Sequence, residues 1–359
     1  MKIKMSIINN IMAELHDSRH AAIVTSNVNR FYATGFESST GTLFITKERA
    51  YFLVDARYYE KAAEQIRDCK VVLQDDLTEQ VLLILNAHDV RLISIESKTM
   101  TVGELSRYIE KFPNTDFDST SWLSDIIEKQ RIIKSEAELG NIRAAQRITE
   151  RAYTKVLDKL EPGLTEKQIA TLVTYYLLEM GGDDIAFPVI AASGRNSAVP
   201  HAHPTNKTIE DGEFLILDFG AVYKGYRSDM TRTIGLGNVS GEMRRVFGAV
   251  LGAHTDAMKA LRPDISGKLV DNVARSTLEA WGYEKYFSHG LGHGVGLQVH
   301  EAPTLSKKSD ATLREGMVVT IEPGVYIPGN FGVRIEDMAY ITANACIGLT
   351  KTPKSLICK

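Results

Sequence analysis

Cysteine is scarce in this 359-residue chain: only Cys69, Cys346 and Cys358 occur, far apart. That excludes a disulfide framework and a cysteine-based metal site, and leaves reduced thiols in a cytoplasmic protein as the expectation. Long apolar runs are also lacking, since no stretch approaches the ~20 residues of a membrane span. Neither sign of charge dominates: 42 Lys and Arg stand against 45 Asp and Glu, a formal net charge of -3. Nothing electrostatic therefore points to nucleic acid or an anionic membrane as partner. The 44% hydrophobic, 24% charged and 8% aromatic residues are those of an ordinary soluble globular protein, and the length suggests two domains. The start, Met1-Lys2-Ile3-Lys4-Met5-Ser6, leads into Ile7, Ile8, Ile11, Met12 and Leu15 at helical spacing. It reads as a mature helix, with no long apolar region or cleavage site behind the two lysines.

The first part of the chain alternates strand and helix signals. Ala22–Val24, Gly41–Ile45, Ala50–Val54, Val71–Leu73 and Arg91–Ile95 are short β-rich runs, with helical patterns at Arg57–Arg67 and Thr78–Asn86. This order predicts an α/β domain with a mixed sheet. It carries no glycine-rich phosphate loop and no cluster of ligand-type residues, so it reads as supporting or substrate-shaping structure. A boundary is expected near Trp122–Ile133, giving domains 1–125 and 126–359. Ser135 with Glu138, and Thr165 with Gln168, form capping boxes at the entries of two helices. Their apolar stripes (Leu139, Ile142, Ala145, Tyr153, Val156, Leu160; then Ile169, Leu172, Val173, Tyr176, Leu177, Met180) are core faces. Strands are predicted at Phe187–Ala191, Phe214–Phe219, Tyr226–Thr233, Met317–Glu322 and Val333–Ile341, with helices at Glu242–Leu261 and Lys268–Trp281. Helices against an antiparallel sheet make this second domain α+β.

Chemistry enters at the carboxylates. Asp218 lies deep in the apolar strand Phe214–Phe219, where an unpaired charge is costly and needs a partner, a proton or a metal. If the chain reverses around Tyr223-Lys224-Gly225, Asp229 falls opposite Asp218 with Cβ atoms ~5 Å apart. Two carboxylates that close repel unless a cation lies between them. Downstream, Glu322 and Glu336 flank Pro328-Gly329-Asn330 and are expected to face one another across a second hairpin. Two such hairpins can bracket two cations ~3.5–4 Å apart, as dinuclear hydrolases do.

Five of nine histidines lie in two short segments: His201 and His203, then His289, His293 and His300. Glycine at positions 290, 292, 294 and 296 lets backbone approach closely, in a spacing unlike a dinucleotide fingerprint. His293 and His300 are seven apart and would face opposite ways on one regular strand, so a shared site requires this segment to bend. No pairing logic recruits His203, which reads as a structural or surface residue. Four carboxylates and one imidazole form a hard, oxygen-rich ligand set, favouring Mn²⁺ or a similar divalent ion over a thiolate-type zinc site. A calcium loop fits these residues poorly.

At these positions the sequence resembles the Xaa-Pro peptidases of the methionine-aminopeptidase superfamily, the pita-bread metallopeptidases that include prolidase and aminopeptidase P. The motifs are Pro200-His201, Leu217-Asp218-Phe219-Gly220, Ser228-Asp229-Met230-Thr231-Arg232-Thr233, Gly292-His293-Gly294-Val295-Gly296, His300-Glu301-Ala302-Pro303, Thr320-Ile321-Glu322-Pro323-Gly324 and Val333-Arg334-Ile335-Glu336-Asp337. Asn29–Phe36 and Val54–Tyr58 are similar to the N-terminal domain of the prolidase and aminopeptidase P branch, so the likeness covers nearly the whole chain. The resemblance implies a pita-bread catalytic domain behind a smaller creatinase-type α/β domain, and hydrolysis of the bond before proline in a dipeptide or short peptide. It implies two divalent ions, Mn²⁺ first with Co²⁺ or Zn²⁺ as alternatives. Asp218 and Asp229 would hold one ion, His293 and Glu322 the other, with Asp229 and Glu336 bridging. Glu322 would also be general base, His201 and His300 would contact the scissile carbonyl and the proline side, and His289 and Arg334 would support the metals. A homodimer is implied as well. Dipeptidase and aminopeptidase remain open. A non-catalytic relative would be expected to have lost ligands, and all five positions are present here.

Overall fold

The helical spacing of the first residues is realised in α1 (Ile7–Glu14), where the Ser6 hydroxyl accepts the Asn9 amide and Ile7, Ile8 and Ile11 are buried. This computed structural model describes residues 5–359. Met1–Lys4, with both lysines of the start, lie outside the described residues. The chain divides into two compact units after Arg131. The expected limit at residue 125 falls inside the last helix of the first unit, which continues to the division.

In the first unit, β1 (His20–Val24), α2 (Asn27–Thr34), β2 (Thr42–Ile45), β3 (Ala50–Val54), α3 (Tyr59–Gln65), β4 (Lys70–Leu73), α4 (Leu77–Ala87), β5 (Leu92–Ile95), α5 (Val102–Lys111), β6 (Asp116–Asp118) and α6 (Trp122–Ile132) follow α1. The sheet order is β4-β3-β2-β1-β5-β6. The pairs β1–β5, β3–β4 and β5–β6 are parallel, and β1–β2 and β2–β3 antiparallel, so the sheet is mixed as expected. Helices α2, α5 and α6 and strand β6 add to the elements the sequence pattern predicts. One buried carboxylate organises the turn into α2. Glu96 accepts from the Thr25 and Ser26 amides (2.6 and 2.9 Å), the Ser26 hydroxyl (2.7 Å) and the Asn29 side chain (2.6 Å).

The second unit opens with α7 (Glu136–Lys159) and α8 (Glu166–Glu179), both entered through the predicted capping boxes. Then come β7 (Asp184–Ile185), β8 (Ile190–Ser193), β9 (Phe214–Phe219), β10 (Ala221–Tyr223), β11 (Tyr226–Arg227), β12 (Met230–Gly235), α9 (Gly241–Ala260), α10 (Gly267–Ala280), β13 (Gly292–Gly294), β14 (Glu301–Leu305), β15 (Val318–Ile321), β16 (Gly324–Ile327), β17 (Phe331–Arg334), β18 (Asp337–Ile341) and β19 (Cys346–Gly348). Its ladders between these strands are antiparallel, including a sheet β12-β9-β8 and a sheet β14-β13-β15-β18-β19. The strand expected at Phe187–Ala191 begins later, at Ile190: Pro188 has no amide hydrogen to give a ladder.

Alternation along these strands decides what faces the site. On β9, Leu215, Leu217 and Phe219 join the core under α7 and α8, together with Met230 and Ile234 of β12. Asp218 is left on the opposite face, as is Thr231. In the other half, Val319, Ile321, Val325, Phe331, Val333 and Ile335 join the core of α9 and α10. Glu322, Arg334 and Glu336 occupy the alternate positions. Each half thus buries one strand face under its own helices and presents its polar residues on the other. Among the described residues no helix is long and apolar enough to cross a membrane.

Candidate active site

The two hairpins that carry the carboxylates follow different registers. Between β16 and β17 Gly324 pairs with Arg334, and between β15 and β18 Ile321 pairs with Asp337. Glu322 therefore lies across from Glu336, as the symmetric turn predicts. The first hairpin corrects its expectation. Val222 pairs with Arg227 and Tyr223 with Tyr226, so the turn is the two residues Lys224-Gly225, both at positive φ (47° and 79°). Asp218 consequently faces Thr231, not Asp229. Asp229 lies two pairs nearer the turn, opposite Gly220, between the Ser228–Ala221 amide bond (3.0 Å) and the Met230–Phe219 pair. The two aspartates are diagonal neighbours on one face.

The glycine segment does bend. β13 turns back on itself into β14 with a bulge between His293 and Gly294, and the His293 and His300 rings meet edge-on at 4.4 Å. A side chain at Gly292 would collide with the Thr320 carbonyl, and one at Gly294 with the Ala302 carbonyl. Only glycine allows these strands so close. The Thr320 hydroxyl also receives the His293 amide at 3.1 Å, fixing the imidazole's base.

Asp229, His293 and Glu336 bring ligand atoms within 4.8 Å of one another. Glu322 touches the same imidazole, Oε1 to Nε2 at 3.3 Å, and Asp229 Oδ2 lies 3.7 Å from that nitrogen. Asp218 Oδ2 is drawn to Arg334 (2.6 Å), while its buried Oδ1 has no hydrogen-bond partner. Glu336 accepts from the Thr231 hydroxyl at 2.7 Å. Asp229 accepts no hydrogen bond. Burial, then the charges of Glu336, Asp218 and Glu322, hold the Asp229 carboxyl well above the usual carboxylate range. Burial with Glu322 and Asp218 does the same to Glu336, and burial raises Asp218 against the pull of Arg334. Burial would raise Glu322 too, but hydrogen bonding and charge from His293 outweigh it and leave Glu322 below its ordinary value. Four carboxylates share one basin with fewer donors than they need. An orphaned Oδ1, like-charge crowding and oxygen-rich donors are what divalent ions relieve, so the residues present fit such ions.

Arg334 is a hub. Its Nε binds the Thr231 hydroxyl (3.1 Å), Nη1 the Pro200 carbonyl (3.1 Å) and the Tyr326 hydroxyl (2.9 Å), and Nη2 Asp218. His289 also has both ring nitrogens engaged, Nδ1 with the Gly290 carbonyl (2.8 Å) and Nε2 with Tyr326 (2.9 Å). Tyr326 and Thr231 escaped the sequence reading because neither residue type announces a role that arises only from tertiary neighbours. Burial pushes the Tyr326 phenol up to about 12.

The four carboxylates, His289, His293 and Arg334 line a cavity of about 380 Å³ with Phe187, Pro188 and Ile190 on its apolar side and His201, His203 and His300 among its polar residues. His203, read from the sequence as a structural or surface residue, is exposed and lines this cavity. A cavity of similar size in the first unit, about 410 Å³, includes Arg30, Glu104, Arg107 and Lys111 but no set of carboxylates and histidines.

Fold and site define a metallopeptidase: residues 140–343 match metallopeptidase family M24 and residues 8–133 the creatinase/prolidase N-terminal domain, and the chain belongs to this family. It is 37% identical over 344 residues to an Xaa-Pro dipeptidase of Pyrococcus horikoshii, covering 95% of each chain. Among solved structures it is similar to an Xaa-Pro dipeptidase from Bacillus anthracis (TM-score 0.95, 34% identity, 99% of this chain and 100% of that one). It is also similar to an X-Pro aminopeptidase from Thermotoga maritima (TM-score 0.91, 31% identity, 98% and 99%).

Proposed function

We propose that the chain is an Xaa-Pro dipeptidase whose two divalent ions are held by Asp218, Asp229, His293, Glu322 and Glu336. The observation that carries the reading is the convergence of these groups with too few protein donors, together with the likeness to named Xaa-Pro dipeptidases. Mn²⁺ suits the oxygen-rich donor set, with Co²⁺ or Zn²⁺ as alternatives. When bound, paired divalent ions supply an acidified water and a Lewis-acid hold on the scissile carbonyl oxygen. Glu322, flanked by His293 and His289 at 3.3 and 3.9 Å, takes the proton from the attacking water and delivers it to the departing proline nitrogen. His300 and His201 donate to the carbonyl oxygen and to the proline side as negative charge develops. Arg334 holds Asp218, Thr231 and the Pro200 carbonyl in place, and His289 steadies Tyr326 and Glu322. Phe187, Pro188 and Ile190 offer an apolar wall for a proline ring and exclude water.

Metal analysis followed by hydrolysis assays with added Mn²⁺ tests the reading, using Ala-Pro, a longer Ala-Pro peptide and Ala-Pro amide. Cleavage confined to Ala-Pro supports the dipeptidase; inertness of the loaded protein toward all three sinks the peptidase reading. The likeness to the Thermotoga enzyme favours a second reading, an aminopeptidase, which cleavage of the longer peptide would select. A homodimer and a cytoplasmic setting complete the proposal. The first rests on the family resemblance, the second on three unpaired cysteines.

A further inference from the structure

A dipeptide ending in proline brings a free carboxylate into the cavity, a single residue beyond the scissile bond. Burying it without a donor is costly. Among the described residues the only Lys or Arg lining this cavity is Arg334, whose three nitrogens are each bonded within the protein. Both His289 nitrogens are taken, and His293 is occupied by the Gly294 carbonyl and Glu322. His300 packs against His293, at the carboxylates. His201, exposed like His203, is already assigned to the scissile carbonyl and the proline side. His203 is exposed, lines the same cavity and makes no hydrogen bond among the described residues.

The segment that presents it is tethered on both sides. Buried Glu166 accepts from Ser193 (amide 2.7 Å, hydroxyl 3.0 Å), the Asn196 side chain (3.1 Å) and Thr205 (amide 3.0 Å, hydroxyl 2.6 Å). Ser197 Oγ receives the Gly332 amide at 2.8 Å, and Arg334 holds the Pro200 carbonyl. An imidazole keeps at least one N–H donor in either protonation state. An unengaged donor on a tethered segment of the cavity wall is what a substrate carboxylate requires.

We propose that His203 is a specificity-determining residue that receives the terminal carboxylate of an Xaa-Pro dipeptide, an assignment that rests on the dipeptidase reading above. The test compares Mn²⁺-loaded wild type, His203→Ala and His203→Gln, at equal bound metal, with Ala-Pro and Ala-Pro amide. The readout is the ratio of kcat/KM for the acid over the amide. In His203→Ala this ratio falls on the order of tenfold, through KM for the acid. His203→Gln, which retains an N–H donor, recovers part of it. A ratio in His203→Ala equal to that of wild type overturns the assignment while leaving the peptidase reading intact. A wild type inert toward both substrates overturns that reading, and the assignment with it.

Discussion

Buried carboxylates occur in both units, and they are treated in opposite ways. Glu96 in the first unit is fully buried and takes four hydrogen bonds from neutral donors within 2.9 Å, with no other carboxylate among them. Asp229 in the second unit is also buried, accepts no hydrogen bond, and shares its space with Asp218, Glu322 and Glu336. A donor-saturated carboxylate stabilises the fold by itself. A crowded, donor-poor one is tolerated only because something outside the polypeptide completes it. The difference separates scaffold from site without reference to any relative.

The sharpest way to break this contrast is Asp229→Asn. The variant keeps the shape but loses a charge that the ions need, so activity with Ala-Pro is expected to be abolished and bound Mn²⁺ to fall. The metal-free protein is expected to be at least as stable as wild type, because one like charge has gone. Turnover or full metal content in the variant would remove Asp229 from the proposed set of ligands. Glu96→Ala is expected to do the reverse. It strands the amides of Thr25 and Ser26 and the Asn29 side chain, costing about 3 kcal/mol in denaturant unfolding. Metal content is retained. If Glu96→Ala costs stability no more than a surface change would, donor saturation is not what makes it scaffold.

Much of this contrast was legible before the fold was known, and the exceptions have physical causes. The strand Phe214–Phe219 stands where the pattern predicts it, because five apolar residues around one aspartate leave little else to propose. Glu322 and Glu336 oppose one another because Pro328-Gly329-Asn330 sits midway between them. Asp218 and Asp229 are misregistered because the reversal depends on Lys224 accepting a positive φ, which a lysine does not advertise. Glu166 was hidden inside a capping box whose signature is Thr165 and Gln168, so its role in tethering residues 193–205 showed only in three dimensions. His203 reads as structural or surface for a related reason: an isolated histidine gains meaning only from the cavity around it.

Glu166 sharpens the comparison, since it is donor-saturated like Glu96 yet serves the site. Burial would raise its carboxyl, but the hydrogen bonds of Thr205, Ser193 and Asn196 carry it below its ordinary value. Glu166→Gln replaces one acceptor with a donor facing other donors. A loss of about 2 kcal/mol in stability is expected. Because the tether carries His201, kcat/KM for Ala-Pro should also fall roughly tenfold at unchanged metal content. Equal loss of stability without that kinetic change would make Glu166 scaffold only.

The smallest expected effect is the one most specific to crowding, and it lies in the pH dependence of the metal-free protein. Asp229 has its folded-state pKa well above the ordinary 3.8. Such a group binds a proton more tightly when folded than when unfolded. Its favourable contribution is present below the unfolded value and is lost as pH rises through the folded one. Asp229→Asn has no proton to lose there. The stability of the variant relative to wild type should therefore grow as pH rises from about 4, by at most ~1.4 kcal/mol per pH unit, and then level off. Taking the difference between the two proteins cancels the opposing contributions of His289, His300 and His254, which burial shifts downward in both. The measurement is urea unfolding of both proteins in chelator from pH 4 to 8. Adding Mn²⁺ should invert the difference at neutral pH, since the ions stabilise only the chain that still carries the carboxylate. A difference that stays flat across this range would mean that Asp229 is no more crowded than Glu96, and the contrast between the two units would fail at its most direct point.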